Sequence, residues 1–273
     1  FLGIQLKPFE FLDFGKIAIP LIIICIISVL VVIKLLIKKL KIPTRMAYLI
    51  SIGSTVCGTT AIMATAPVIK ANKSEVSYAI ANITLFGILS MLIYPYFANI
   101  YFDGEPLLIG LFLGTSIHET SQVAAAGLIY EQQYNSPETL NIATVTKLIR
   151  NTFLIIMIPL FAFLYNRGQT KEKNYSILNI FPYFVLGFVG MIIIRNLGDE
   201  MFNSTSNWIE TIEIIKQSSK IFLTMAMAAI GLSTNLKDIK SMGYKPFIVG
   251  FIGMLTVGIV CIVTIESYLK FFI

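Results

Sequence analysis

Two apolar stretches carry charges at depths where a membrane span normally has none. The first, GLFLGTSIHETSQVAAAGLIY, holds His118, Glu119 and Gln122. The second, ATVTKLIRNTFLIIMIPLFAFL, holds Lys147, Arg150 and Asn151. At helical spacing Thr115, Glu119 and Gln122 share a face, and Thr144, Lys147 and Asn151 share another with Arg150 beside it. A charge at this depth costs about 2.5–3.5 kcal/mol on insertion scales, so it faces the bundle interior and has a partner. Two readings follow. In one, Glu119 pairs with Arg150 or Lys147 and merely fixes the packing of two antiparallel helices. In the other, two cations against one carboxylate leave a positive surplus that suits an anion. The planar fork of Arg150 matches sulfate or carboxylate oxygens. His118, the only histidine, is either a hydrogen-bonded core residue or, beside Glu119, a carrier of a coupling proton.

Other chemistries are excluded by what surrounds these residues. His118-Glu119-Thr120-Ser121-Gln122 has the start of a zinc-protease HExxH helix, but Gln122 stands where the second ligand belongs. No other histidine replaces it, so no metal centre and no enzyme is expected. Cys57 has no base beside it and reads as a small buried residue. Cys25, Cys57 and Cys261 all lie in apolar segments, which argues against a disulfide framework. Nothing calls for a cofactor. The net charge of +6 sits mostly in short loops between apolar runs, where it orients a membrane protein rather than binding nucleic acid.

The elements that would position these residues are membrane helices. Of 273 residues 56% are hydrophobic and only 13% charged, with a mean hydropathy of +0.81. The chain therefore reads as an all-α polytopic membrane protein, one transmembrane domain in contact with the lipid bilayer. Eight spans are predicted, at 17–37, 46–69, 76–101, 107–130, 142–165, 178–196, 219–236 and 246–269. Phe1 to Lys16 reads as the tail of a helix followed by a loop, and the opening Phe-Leu-Gly suggests that further N-terminal spans precede it. Eleven Lys and Arg fall in the loops on the side of 34–45, and seven, with Lys70 and Lys73, on the other. The 34–45 loop is thereby predicted to be cytoplasmic and the C-terminus external. The stretch from Glu200 to Lys220 is too polar to span. It reads as an interfacial helix capped by Ser206 with Trp208 in the aromatic belt, or as a plain loop.

One of the predicted spans is unsuited to lipid. Ser51 to Lys70, SIGSTVCGTTAIMATAPVIK, holds Ser54, Thr55, Cys57, Gly58, Thr59 and Thr60 in its middle. Such a cluster fits a helix packed against others, or one broken so that its backbone faces a substrate. A comparable cluster closes the span at 219–236, in Gly231, Ser233 and Thr234. The two run in opposite directions, as the paired interrupted helices of an inverted-repeat transporter do. A short match of Gly3 and Gly15 with Gly231 and Gly243 points the same way.

The stretches SIGSTVCGTTAIMATAPVIKA, SYAI, GTSIHETSQVAAAG, TKLIRN and FLTMAMAAIGLSTNLKDIKSMGYKP resemble, in the same order, the YeiH-type membrane proteins of bacteria, a family to which sulfate export is ascribed. The resemblance covers essentially the whole chain. It implies a fold related to sodium/proton antiporters and bile-acid symporters, with 46–69 and 219–236 as crossing helices in the bacterial inner membrane. The expected activity is secondary transport of a small anion, sulfate or an organosulfonate, in the outward direction. Ser54, Thr55, Cys57, Gly58, Thr59, Thr60, Gln122, Lys147, Arg150, Asn151, Gly231, Ser233 and Thr234 would line the anion site. His118 and Glu119 would handle a coupling proton or sodium ion, and a homo-oligomer is compatible with this.

Overall fold

A computed structural model describes residues 9–167, 183–202, 205–233 and 243–269. Helix α1 (Phe9–Leu40) is rich in Ile, Leu and Val from Ile17 onward and begins before the predicted loop ends. After Pro43, α2 (Thr44–Thr55) and α3 (Thr59–Thr65) are separated by Val56, Cys57 and Gly58. Helix α4 (Lys73–Tyr101) starts with a capping box, in which the Asn72 N–H donates to Glu75 Oε2 at 2.8 Å. Pro106 opens α5 (Pro106–Ser116), and α6 (Thr120–Tyr134) follows after Ile117, His118 and Glu119. Asn135, in the left-handed region at φ 54°, ends α6. Pro137 opens α7 (Pro137–Thr152), which runs through Phe153 into α8 (Leu154–Arg167). The remaining described helices are α9 (Tyr183–Met201), α10 (Ser206–Ser233) and α11 (Lys245–Thr264), the last closed by a π turn at Ile265–Leu269. The described residues form helices and turns without a strand.

Cross-helix contacts give each helix its direction. The Tyr78 hydroxyl donates to Gly243 O at 2.8 Å, Asn82 Nδ2 to Pro246 O at 2.8 Å, and the Tyr101 hydroxyl to Glu266 Oε1 at 2.8 Å. Helices α4 and α11 therefore run parallel. Ile33 packs on Gly253 while Cys25 approaches Cys261, so α1 runs against α11. One end of the bundle thus collects Lys38, Lys39, Lys41, Arg45, Lys73 and Lys245. The other collects Asp103, Glu105, Glu131, Glu138 and Glu266.

Four described segments are long and apolar enough to cross a bilayer: Gly15–Leu40, Lys73–Tyr101, Pro137–Tyr165 and Lys245–Ser267. Helix α4, at 29 residues, reaches about 43 Å, well beyond the roughly 30 Å of a bilayer core. The predicted spans at 46–69 and 107–130 do not cross. Ile62 of α3 lies against Gly53 of α2, and both contact the early part of α4 through Ile83. The chain therefore enters from the basic end, turns at Val56–Gly58 and returns to the basic end at Lys70. Gln122 at the start of α6 donates to Thr84 O at 3.2 Å, whereas the Tyr130 hydroxyl donates to Asn99 Oδ1 at 2.8 Å. Helix α6 thus runs parallel to α4, back toward the acidic end from which α5 came. Both segments are helical hairpins that reach the middle of the bundle and return.

This corrects further expectations. Lys70 and Lys73 join the 34–45 loop at the basic end instead of facing it across the membrane. From Ser206 onward, the polar segment after Glu200 is neither a separate interfacial helix nor a loop. It forms the first turns of α10, with Trp208 packed over Gly198 and its Nε1 donating to Asp199 Oδ1 at 2.7 Å. Asp199 also takes Arg195 Nε at 2.7 Å. Gly15 lies inside α1, whereas Gly243 stands at φ 74° ahead of α11, so the two are not structural equivalents. The predicted span at 178–196 is α9, shifted to Tyr183–Met201, with 178–182 outside the described residues.

Candidate functional site where two helix breaks meet

Helix ends determine what these breaks need. The last carbonyls of an α-helix have no intrahelical donor and carry the negative end of its dipole. Here the C-terminal ends of α2 and α5 arrive from opposite ends of the bundle and stop side by side. Helix α7 passes between them and supplies two cations. Lys147 Nζ donates to Val56 O at 3.1 Å, Ile117 O at 2.9 Å and His118 O at 2.5 Å. Arg150 donates through Nε to Thr55 O at 3.0 Å and through Nη2 to Ser54 O at 2.8 Å. Its Nη1 donates to Thr115 O and, at 3.4 Å, to Ile117 O. Lys147 is 0% and Arg150 1% exposed, so these bonds form in the protein interior.

The first turns of α3 and α6 present free N–H groups instead. Glu119, the residue before α6, accepts from the Thr59 N–H at 2.9 Å and from the Thr59 hydroxyl, both through Oε1. Each sign of charge thus sits at the helix end it complements. Gly58 permits this. Its φ of 56° favours glycine, and a Cβ there would lie 2.9 Å from Glu119 Cγ. The expected Glu119–Arg150 or Glu119–Lys147 ion pair does not form. The carboxylate goes to Thr59 and the cations go to backbone carbonyls. Nor do Thr115, Glu119 and Gln122 share a helix face, because the helix between them is broken at Ile117–Glu119.

Small residues let the helices close in. A Cβ at Gly114 or Gly110 would overlap Thr146, Ala143 or Ile142 of α7, and one at Gly87 would overlap the Gln122 side chain. Around the contact lie polar atoms that make no hydrogen bond of good geometry: Ser54 Oγ, Thr115 Oγ1, Gln122 Oε1, Asn151 Oδ1 and both ring nitrogens of His118. His118 is 0% exposed. Asn151 Nδ2 reaches the Thr120 hydroxyl at 3.1 Å. Cys57 and Thr59 are buried in the turn, and Thr60 is half-buried. Cys25, Cys57 and Cys261 are free thiols.

The described residues predicted to act together are therefore gathered, and the break they bring against the first is Ile117–Glu119. The expected partner, Gly231–Thr234, lies at and beyond the edge of the described residues. Gly231 and Ser233 fall in the last turn of α10, where side chains are not described, and Thr234 lies outside the described residues. A sequence signal for the observed pairing exists. Gly53-Ser-Thr-Val-Cys-Gly-Thr-Thr60 matches Gly114-Thr-Ser-Ile-His-Glu-Thr-Ser121 at a constant offset of 61 positions. The structure respects it in several contacts. Lys147 takes the equivalent carbonyls of Val56 and Ile117, and Arg150 those of Ser54 and Thr115. The Thr55 hydroxyl donates to Ser51 O and its counterpart Ser116 to Phe112 O. Even the unpartnered hydroxyls, Ser54 and Thr115, are equivalent. The two hairpins are inverted copies.

Comparison with known proteins places this architecture. Residues 1–250 match the family model described as conserved hypothetical protein 698. UPF0324 membrane protein FN0533 of Fusobacterium nucleatum is 36% identical over 271 residues, covering 96% of this chain and 78% of the relative. UPF0324 membrane protein SAG1125 of Streptococcus agalactiae is 37% identical over 250 residues, covering 91% and 72%. A UPF0324 membrane protein of Clostridium tetani is 31% identical over 273 residues, covering 95% and 75%. No solved structure matches the chain. With long apolar helices flanking two inverted hairpins, and with relatives of this kind along nearly its whole length, the chain is a multi-pass membrane protein of the UPF0324 family.

Proposed function

We propose that the chain is a secondary transporter of a small anion, with sulfate or an organosulfonate as the leading class and export as the direction. The carrying observation is the buried meeting point of two half-membrane hairpins, where the buried His118 ring, near the Ser116 backbone, makes no hydrogen bond of good geometry. Irregular backbone at membrane depth is tolerated where it is enclosed by protein or lines a polar path. Buried polar atoms without partners call for a ligand or water. Two cations against one carboxylate give the region a positive field, and this favours an anion. Because the cations' own N–H groups bond backbone carbonyls, they act on the anion through that field. Direct contacts come from the hydroxyls of Ser54 and Thr115, from His118 and from Gln122. Glu119 links the hairpins through Thr59, so a change in its protonation alters how they hold together. Motion of the hairpins against α1, α4 and α11 would give access from alternate sides.

The test is flux of radiolabelled sulfate and of a small sulfonate in liposomes containing the purified chain, under imposed proton, sodium and potential gradients. Accumulation above protein-free liposomes is expected, and its complete absence under every gradient contradicts the proposal and favours a scaffold or receptor. A second reading, a cation- or proton-coupled carrier of another organic anion, is favoured by the Glu119–Thr59 link. It requires that Glu119→Gln uncouple flux from the driving gradient while anion binding persists.

A further inference from the structure

The ammonium of Lys147 stands where a bound monovalent cation would stand. It lies between three backbone carbonyls, of Val56, Ile117 and His118, at 2.5–3.1 Å. All three are exposed by helix breaks, and they come from both hairpin tips. Unpaired carbonyls at broken helix ends are the groups that transporters of this general construction use for a coupling sodium ion. Here they are already satisfied, since Lys has three donors and all three are engaged. The next carbonyls back, of Ser54, Thr55 and Thr115, are taken by Arg150. The carbonyls of Ser54, Thr55, Val56, Thr115, Ile117 and His118 are thus all held by tethered cations.

We propose that Lys147 is a covalently tethered replacement for a coupling cation, so that the hairpins stay bridged without sodium and transport through them is independent of sodium. The symmetry of the contact supports this. Val56 and Ile117 are equivalent positions of the two inverted copies, so the ammonium bridges equivalent carbonyls, as a shared ion would. Its charge offsets two converging helix C-termini, which would otherwise repel one another. Arg cannot make the same contact, because a planar guanidinium does not match three converging acceptors around a point charge.

The sodium-independence of flux rests on the transport reading, but occupancy of the cage is tested without transport. The melting midpoint of the detergent-purified chain is compared in lithium, sodium, potassium, ammonium and choline chlorides at equal ionic strength. The wild type is expected to give the same midpoint in all five. Lys147→Ala is expected to melt several degrees lower in choline and to recover part of the loss in ammonium, sodium or potassium, whose ions can enter the cage. Lys147→Met, which fills the space without a charge, is expected to melt low and to show no recovery. Selective stabilisation of the wild type by sodium overturns the inference. So does a Lys147→Ala variant that melts low and responds to no cation. Should Lys147→Ala not fold, the wild-type comparison and Lys147→Met retain the test, and the inference falls if Lys147→Met melts with the wild type. In liposomes, sodium-dependent sulfate or sulfonate flux would overturn the inference and leave the transport reading intact. Absence of any flux would sink that reading and leave the melting result standing.

Discussion

At the scale of single residues, the account turns on which group satisfies which helix end. Arg150 holds four carbonyls drawn from both hairpins. Removing it leaves several buried acceptors unpaired, each worth about 1–3 kcal/mol. Arg150→Ala is therefore expected to lose at least about 3 kcal/mol of stability, read as a fall in melting midpoint and in the yield of monodisperse protein. Gly58 is sensitive for another reason. Gly58→Ala puts a Cβ at a φ of 56°, against Glu119 Cγ. We expect a loss of about 1–3 kcal/mol, measured by thermal unfolding, and a smaller loss at the half-buried Thr60 changed to Ala. Charge placement also explains what was legible in the residues. Buried Lys147, Arg150, Glu119 and His118 stood out because ionisable groups are costly in an apolar segment. Their partners did not, because those are backbone carbonyls, and a carbonyl leaves no mark on sequence. An ion pair between Glu119 and a cation was the natural inference from side chains alone.

At the scale of elements, close approach of α5 and α7 depends on Gly110 and Gly114, whose missing side chains leave room for Ile142 and Thr146. Gly114→Val is expected to force the pair apart at about 1–3 kcal/mol or more, seen as lowered melting and lost folded yield. A Gly187→Ala control in α9, where an added methyl meets nothing within 4 Å among the described residues, should be near neutral. The break at Gly58 was visible in composition, because small and hydroxylated residues interrupt an apolar run. That the chain turns back there was not visible. A run of twenty-odd apolar residues has the length of a crossing helix, and only the packing of Ile62 on Gly53 shows the return. The second break hid better, since GTSIHETSQ reads as a helix with one polar face. Aligning it with GSTVCGTTA would have exposed both the break and its partner.

At the scale of the whole molecule, the hairpins change which loops share a side of the membrane. An eight-span chain places Lys41 and Lys70 on opposite sides. Two returning hairpins place them together, and they sharpen the charge asymmetry that orients the protein. Lys38, Lys39, Lys41, Arg45, Lys70 and Lys73 then lie at one end, while Asp103, Glu105, Glu131 and Glu138 lie at the other. The long apolar helices were recoverable from hydropathy because each exceeds the bilayer core. The half-length ones were not, because two joined halves have the length of one whole.

The most direct test is therefore accessibility. Single cysteines are placed at positions 41, 70, 103 and 135 in a chain whose buried Cys25, Cys57 and Cys261 are replaced by Ala or Ser. They are then labelled from one side of intact cells with a membrane-impermeant maleimide. We expect positions 41 and 70 to behave alike, positions 103 and 135 to behave alike, and the two pairs to be opposite. Labelling of 41 and 70 from opposite sides would mean that the first hairpin crosses the membrane, and would contradict the account.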